Sequence, residues 1–204
     1  MPLRRDQVVR AALELLDEVG LDAFTTRALT DRLGVQRGAL YWHVKSKQEL
    51  LAAVTELIVR PVLADLDTVD RDWAEGYVGF AHRLREVMLA HRDGARLIAG
   101  HVLLRPGGLQ RMEAGLARLA EQGVPPAFGA RFGDTIASYV TGFVLQEQAM
   151  PPEFDFPADQ APPLVAAAMA AYGGSSAEVF AASVRTIVAG MRAEVADLAD
   201  ADQR

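Results

Sequence analysis

Apolar side chains recur every three or four positions along most of this 204-residue chain, and no stretch alternates apolar with polar as a half-buried strand does. That period commits the chain to an all-α fold. In residues 176–198, Phe180, Val184, Ile187, Met191, Val195 and Leu198 follow steps of four, three, four, four and three. Residues 126–149 repeat Phe128, Phe132, Ile136, Tyr139 or Val140, and Phe143 in the same way. Further helices are expected at 72–91, 108–121 and 163–172, with the proline-rich stretch 151–163 as a loop.

The first fifty residues are punctuated more finely. A helix is expected from Asp6 as cap to Val19, stopped by Gly20. A second follows Thr25 or Thr26 and ends at Gly34, and a third spans Arg37 to His43. Ser46-Lys47-Gln48-Glu49 has the form of a capping box, so a fourth helix starts there, and Pro61 is expected to end or kink it. Two short helices hinged at Gly34, with Ala28, Leu29, Leu33, Val35 and Leu40 as shared core, have the mechanics of a helix-turn-helix.

Charge supports that reading locally. The net charge is −6, yet residues 1–47 hold eight Lys/Arg against six Asp/Glu, a net of +2, leaving 13 against 21 elsewhere, a net of −8. Within residues 25–47, Arg27, Arg32, Arg37, Lys45 and Lys47 meet only Asp31. A basic head on an acidic body is the electrostatic form of a local DNA-binding module. With no cysteine there is no disulfide, thiolate nucleophile or cysteine metal site. No apolar run reaches the ~18–20 residues of a membrane span, and the first residues lack a signal-peptide stretch, so no membrane association and a cytoplasmic protein are expected.

The run Leu-Tyr-Trp-His-Val-Lys-Ser-Lys at 40–47 followed by a helix, with Leu15 to Gly20 and Thr25-Thr26-Arg27, resembles the tetracycline repressor (TetR) family. In the body, His91-Arg92-Asp93-Gly94-Ala95 and Arg105-Pro106 are similar to the ligand domain of that family's namesake. The resemblance implies an N-terminal three-helix head (1–47) and a C-terminal helical ligand-binding and dimerisation domain (48–204). It also implies three partners: double-stranded operator DNA, a small-molecule effector and a second copy of the chain.

By chemistry, Arg37 is placed to read guanine bidentately, and Ala39 to touch a thymine methyl. Tyr41, Trp42, His43 and Lys47 lie where phosphates would pass, although one of the two rings can equally belong to the core. By the resemblance, Thr26, Arg27 and Lys47 match positions that bind backbone or base, and Gly38 lies among them. Lys45 and Lys47 read alternatively as a solvated face.

The resemblance also exposes departures. The positions that hold a drug-bound magnesium in the namesake fall on Ile98 and Gln146, and isoleucine cannot bind a metal. The pocket reads as apolar, formed by Phe80, Leu84, Met88, Ile98, Leu116 and Tyr139, with His101 or Gln146 as polar handle. An uncharged or amphipathic organic effector is expected, with no metal and no cofactor. Small residues on the two long helices suggest a close approach of backbones. We take Phe128, Phe132, Ile136, Phe180, Val184, Ile187 and Met191 as a subunit interface, with packing inside one chain as the alternative.

His43, His82, His91 and His101 lack the spacing of a helical metal pair, and no catalytic centre is expected. His91-Arg92-Asp93 reads as a surface turn held by ion pairs. The chain is thus expected to be a DNA-binding transcriptional repressor released by its effector. A sequestering protein with a vestigial head is the alternative.

Overall fold

The computed structural model describes residues 3–66, 72–101, 106–150, 161–172 and 174–202. Among these it holds ten helices and no strand. They are α1 (Arg5–Ala23), α2 (Thr26–Leu33), α3 (Arg37–Tyr41), α4 (Lys47–Leu66), α5 (Trp73–Leu89), α6 (Gly94–His101), α7 (Pro106–Glu121), α8 (Pro126–Ala149), α9 (Pro163–Tyr172) and α10 (Ser176–Asp202).

The head is built by its caps. Thr25 accepts from the Ala28 amide at 3.1 Å to open α2, and Gly34 closes it in the left-handed region at φ 64°, ψ 32°. There the Val35 amide reaches back to the Thr30 carbonyl at 3.1 Å, which satisfies an orphan acceptor and turns the chain into α3. Leu16, Leu29, Leu40 and Val44 fill the small core beneath. Arg32 ties α2 to α1 through Glu18 at 2.7 Å and Glu14 at 3.3 Å.

Three local expectations need correction. The cap of α1 is Arg4 rather than Asp6, with the Gln7 side chain accepting from the Arg4 amide at 2.9 Å. Gly20 does break the helix, at φ 80°, but one further turn follows it to Ala23. Of the end or kink expected at Pro61, the end does not occur, and α4 continues to Leu66. The buried run Leu50, Leu51, Val54, Ile58 and Val62 keeps its apolar face continuous past the proline, so packing outweighs one missing hydrogen bond.

In the body, α5 packs against α4, α6, α8 and α10. Trp73, Tyr77 and Phe132 form one aromatic cluster, and Phe180 sits between His82 of α5 and Tyr139 and Phe143 of α8. The Tyr77 hydroxyl donates to the Gly129 carbonyl at 2.7 Å, and burial pushes its pKa up to about 12. Helix α6 is not among the expected ones, because its eight residues open on Gly94 directly after His91-Arg92-Asp93, which reads as a turn. That turn exists, with Asp93 in the left-handed region at φ 58°. Most of the expected 151–163 loop lies outside the described residues.

Candidate nucleic-acid interface and effector domain

Helix α3 presents the most exposed aromatic surface of the head: Trp42 is 90% exposed and Tyr41 37%. Both rings stand outside the core, and Leu40 and Val44 fill the interior positions instead. Arg37 is exposed, lies 5.6 Å over the Tyr41 ring, and approaches its hydroxyl at 3.5 Å. Hydrogen bonds from Arg37 and from Thr26 hold the Tyr41 phenol below its usual pKa. Arg27 and Gly38 are exposed, while Thr26, Ala39 and His43 are half-buried.

Lys47 behaves differently from expectation. Its ammonium donates to the Phe24 carbonyl at 2.8 Å and lies 5.4 Å from the Phe24 ring, so it ties the start of α4 to the end of α1. Lys45 is the exposed neighbour, and its amide donates to Glu49 at 2.8 Å while Ser46 caps the Glu49 amide at 3.0 Å. The capping pair therefore forms with Glu49 reaching one residue further back than a standard box.

The head meets the body at a polar joint that the sequence did not announce. Arg96 of α6 bonds Asp22 at 2.8 Å and Asp93 at 3.0 Å, and Asp93 accepts from the Leu21 amide at 2.8 Å. Asp17 accepts from His91 at 3.0 Å and from the Arg92 amide at 3.1 Å, while the Arg92 side chain donates to the Glu18 carbonyl at 2.9 Å. The Arg96 hydrogen bond holds the Asp22 carboxyl below its usual range. Gln148 at the end of α8 donates to the carbonyls of Met88 and His91 at 3.1 and 3.0 Å, tying α8 to the same turn. An open cleft of about 450 Å³ lies here, lined by Gly20, Asp22, Arg92, Asp93, Arg96 and Gln148 among others. None of the expected effector residues lines it.

Those residues divide. Leu84, Met88 and Ile98 are buried, and Phe80 and Leu116 are half-buried. Leu116 packs onto α8 at Gly129, where an added Cβ would come within 3.2 Å of it. Tyr139 stacks on Phe180 at 5.8 Å, with its hydroxyl buried and unpaired among the described residues. Gln146 is exposed, and the side chain of His101 lies outside the described residues. Ile98, at the position that holds the drug-bound magnesium in the namesake, is a buried hydrocarbon.

Of the residues expected at a subunit interface, Phe132, Ile136, Phe180, Val184 and Met191 are buried inside a single chain, which is the packing named as the alternative. Phe128 and Ile187 are half-buried against the same core. The large apolar stripe of a two-faced helix seeks its own core first. What remains outside is small: Ala182, Thr186, Ala189, Ala193 and Ala196 on α10, with Thr135 and Ser138 on α8, are exposed, and Gly142 and Gly190 have open space above them. Arg131 and Glu194 pair across this outer face.

Comparison with known proteins agrees with this architecture. Residues 8–54 match the family described as bacterial regulatory proteins, tetR family, and residues 67–195 match the tetracyclin repressor-like C-terminal domain. The class A tetracycline repressor from transposon 1721 of Escherichia coli is 41% identical over 150 residues, 72% of this chain and 68% of that one. The class E repressor of Escherichia coli is 33% identical over 198 residues, 95% of this chain and 92% of its own. Ligand-free ActR of Streptomyces coelicolor superposes with a TM-score of 0.79 at 30% identity, covering 97% of this chain and 99% of that one, and ActR is also known in complex with actinorhodin. The chain belongs to the tetR family of bacterial regulatory proteins, transcriptional regulators that act as dimers on operator DNA and answer to small molecules.

Proposed function

We propose that this chain is a repressor, not an enzyme, whose recognition surface is Thr26, Arg27, Arg37, Gly38, Ala39, Tyr41, Trp42 and His43. Lys45 takes the phosphate role first given to Lys47. The observation that carries the reading is that the side-chain charges of Arg27, Arg37 and Lys45 are exposed and make no ion pair among the described residues, beside a Trp42 that is 90% exposed. An aromatic side chain so placed gains nothing in the isolated chain and is suited to lie against a duplex. A vestigial head would have no need of that surface. Action on DNA belongs in the cytoplasm, and no single helix among the described residues is long and apolar enough to cross a membrane.

The functional division runs at residues 47 and 48, where α4 begins. Two copies pair through the small outer faces of α8 and α10, which sets the two α3 helices one DNA turn apart, about 34–36 Å, or a multiple of it. The effector is an uncharged or amphipathic organic molecule bound without magnesium, as the hydrocarbon at Ile98 supports. Phe80, Leu84, Met88, Ile98 and Leu116 are its candidate neighbours, and Tyr139 enters only through its unpaired hydroxyl. By differential affinity the effector favours the conformer that fits DNA poorly, with a coupling of roughly 1–3 kcal/mol.

The test is titration of the purified protein with duplexes from upstream of its own gene, at low and physiological salt, read by fluorescence anisotropy. Saturable binding that one fragment wins over the others is expected. Equal, weak binding to every fragment at low ionic strength would contradict the proposal.

A further inference from the structure

We propose that Tyr41 sets the aim of Arg37, so that base reading by the first turn of α3 rests on one guanidinium. The inference rests on the DNA-reading role of the head and deepens it. In the first turn of α3, Gly38 has no side chain and open space where a Cβ would sit, and Ala39 offers a half-buried methyl. Arg37 is thus the one long side chain of that turn. A bidentate reading of guanine requires the guanidinium plane to be fixed, whereas a free arginine samples many rotamers.

Here a contact within the head biases the plane. The Arg37 guanidinium carbon lies 5.6 Å from the centre of the Tyr41 ring, one helical turn on. The contact to the hydroxyl, at 3.5 Å, is at the long end of a hydrogen bond, so the ring face contributes more than the oxygen. No carboxylate among the described residues competes for Arg37, in contrast to Arg32, held by Glu14 and Glu18. Tyr41 is therefore a positioning residue, beyond any phosphate it touches.

The experiment begins with selection of binding sites from a random duplex library by the full-length protein. Competition binding then compares guanine, 7-deazaguanine and adenine at each conserved guanine, for the wild type and for Arg37→Ala, Tyr41→Phe and Tyr41→Leu. The wild type should prefer guanine by about 10- to 100-fold over adenine, with 7-deazaguanine, which lacks the N7 acceptor, in between. Arg37→Ala should abolish the preference at one position per half-site. Tyr41→Leu should reduce it at least about 5-fold, a larger factor than any loss of affinity for unrelated duplexes, and Tyr41→Phe, which keeps the ring, should recover most of it. Melting curves of all variants verify folding, which the exposure of Tyr41 favours.

If Tyr41→Leu weakens cognate, 7-deazaguanine and unrelated duplexes alike, Tyr41 acts on phosphates and the inference falls while the DNA reading stands. Persistence of the guanine preference in Arg37→Ala has the same consequence. Selection of no sequence above bulk DNA overturns both.

Discussion

The head and the joint beneath it use the same type of side chain in opposite ways. On the recognition surface, Arg27, Arg37 and Lys45 are exposed and their side-chain charges make no ion pair among the described residues. At the joint, Arg96 is held by Asp22 and Asp93, and Arg92 by the Glu18 carbonyl. Of the five cations that make residues 25–47 basic, Arg32 is paired to Glu14 and Glu18 and Lys47 is bound to the Phe24 carbonyl. A count of charges therefore locates a nucleic-acid surface only roughly. Which cations remain without a partner after folding locates it more finely.

The contrast breaks most visibly at two glycines. A Cβ on Gly94 would sit 2.1 Å from the Met88 carbonyl oxygen, a backbone atom that cannot step aside, whereas one on Gly38 would meet nothing. Gly94→Ala should therefore destabilise the protein by about 3 kcal/mol in denaturant unfolding. Gly38→Ala should leave stability unchanged or raise it by about 0.5–1 kcal/mol. Similar losses from both would mean that the head is packed more tightly than its open surface indicates.

Next in size comes Arg37→Ala, which should cost about 1–3 kcal/mol of base discrimination in competition binding and leave the melting temperature within roughly 1 °C. Arg92→Ala should do the reverse, disturbing the joint without changing which bases are preferred.

Inside the body, Arg85 donates to Glu147 at 2.8 Å, and Ser176 adds a further hydrogen bond. Burial raises the Glu147 pKa, but these two partners outweigh it and leave it below 4.5. A depressed carboxylate stabilises the fold above its unfolded pKa, and that contribution is lost as pH falls through the folded value. Glu147→Gln should thus cost about 1–2 kcal/mol at neutral pH and flatten the decline of stability below about pH 4.5. An unchanged acid limb in pH-dependent melting would assign the acid sensitivity elsewhere.

The smallest effect is expected at Arg96→Ala. Its partner Asp22 is fully exposed, so global melting should move little, while amide exchange in α1 near Leu21 should accelerate. The lowered Asp22 pKa gives this link a sign: it is complete above about pH 4 and weakens as pH falls through the folded value.

Much of this was legible in the sequence where a local rule acts alone. Gly34 as a left-handed stop, Thr25 and Ser46 as caps, and the three-and-four spacing of α5, α8 and α10 are set by neighbours a few residues away. The departures occur where distant parts meet. Pro61 stays helical because Leu50 to Val62 pack on the body, α6 forms because Ala95, Leu97 and Ile98 are buried after a turn-like start, and Lys47 is captured by a carbonyl 23 residues away. The stripe expected at a subunit interface packs inside the chain for a related reason. Periodicity marks the apolar face of a helix, which its own core claims, and the small exposed residues opposite carry no hydrophobic signal. The joint residues Asp17, Asp22, Arg96 and Gln148 looked like ordinary surface polarity, since nothing in the sequence pairs positions some 70 residues apart.

The central claim is that the cations of residues 25–47 held by neither a carboxylate nor a carbonyl are those that meet DNA. Its most direct test is the salt dependence of binding to a selected duplex for the wild type, Lys45→Ala and Arg96→Ala. Removing Lys45 should lower the slope of log affinity against log salt by roughly 1 per protomer, the mark of a lost phosphate contact, and removing Arg96 should leave that slope unchanged. A slope altered by Arg96→Ala and untouched by Lys45→Ala would contradict the account.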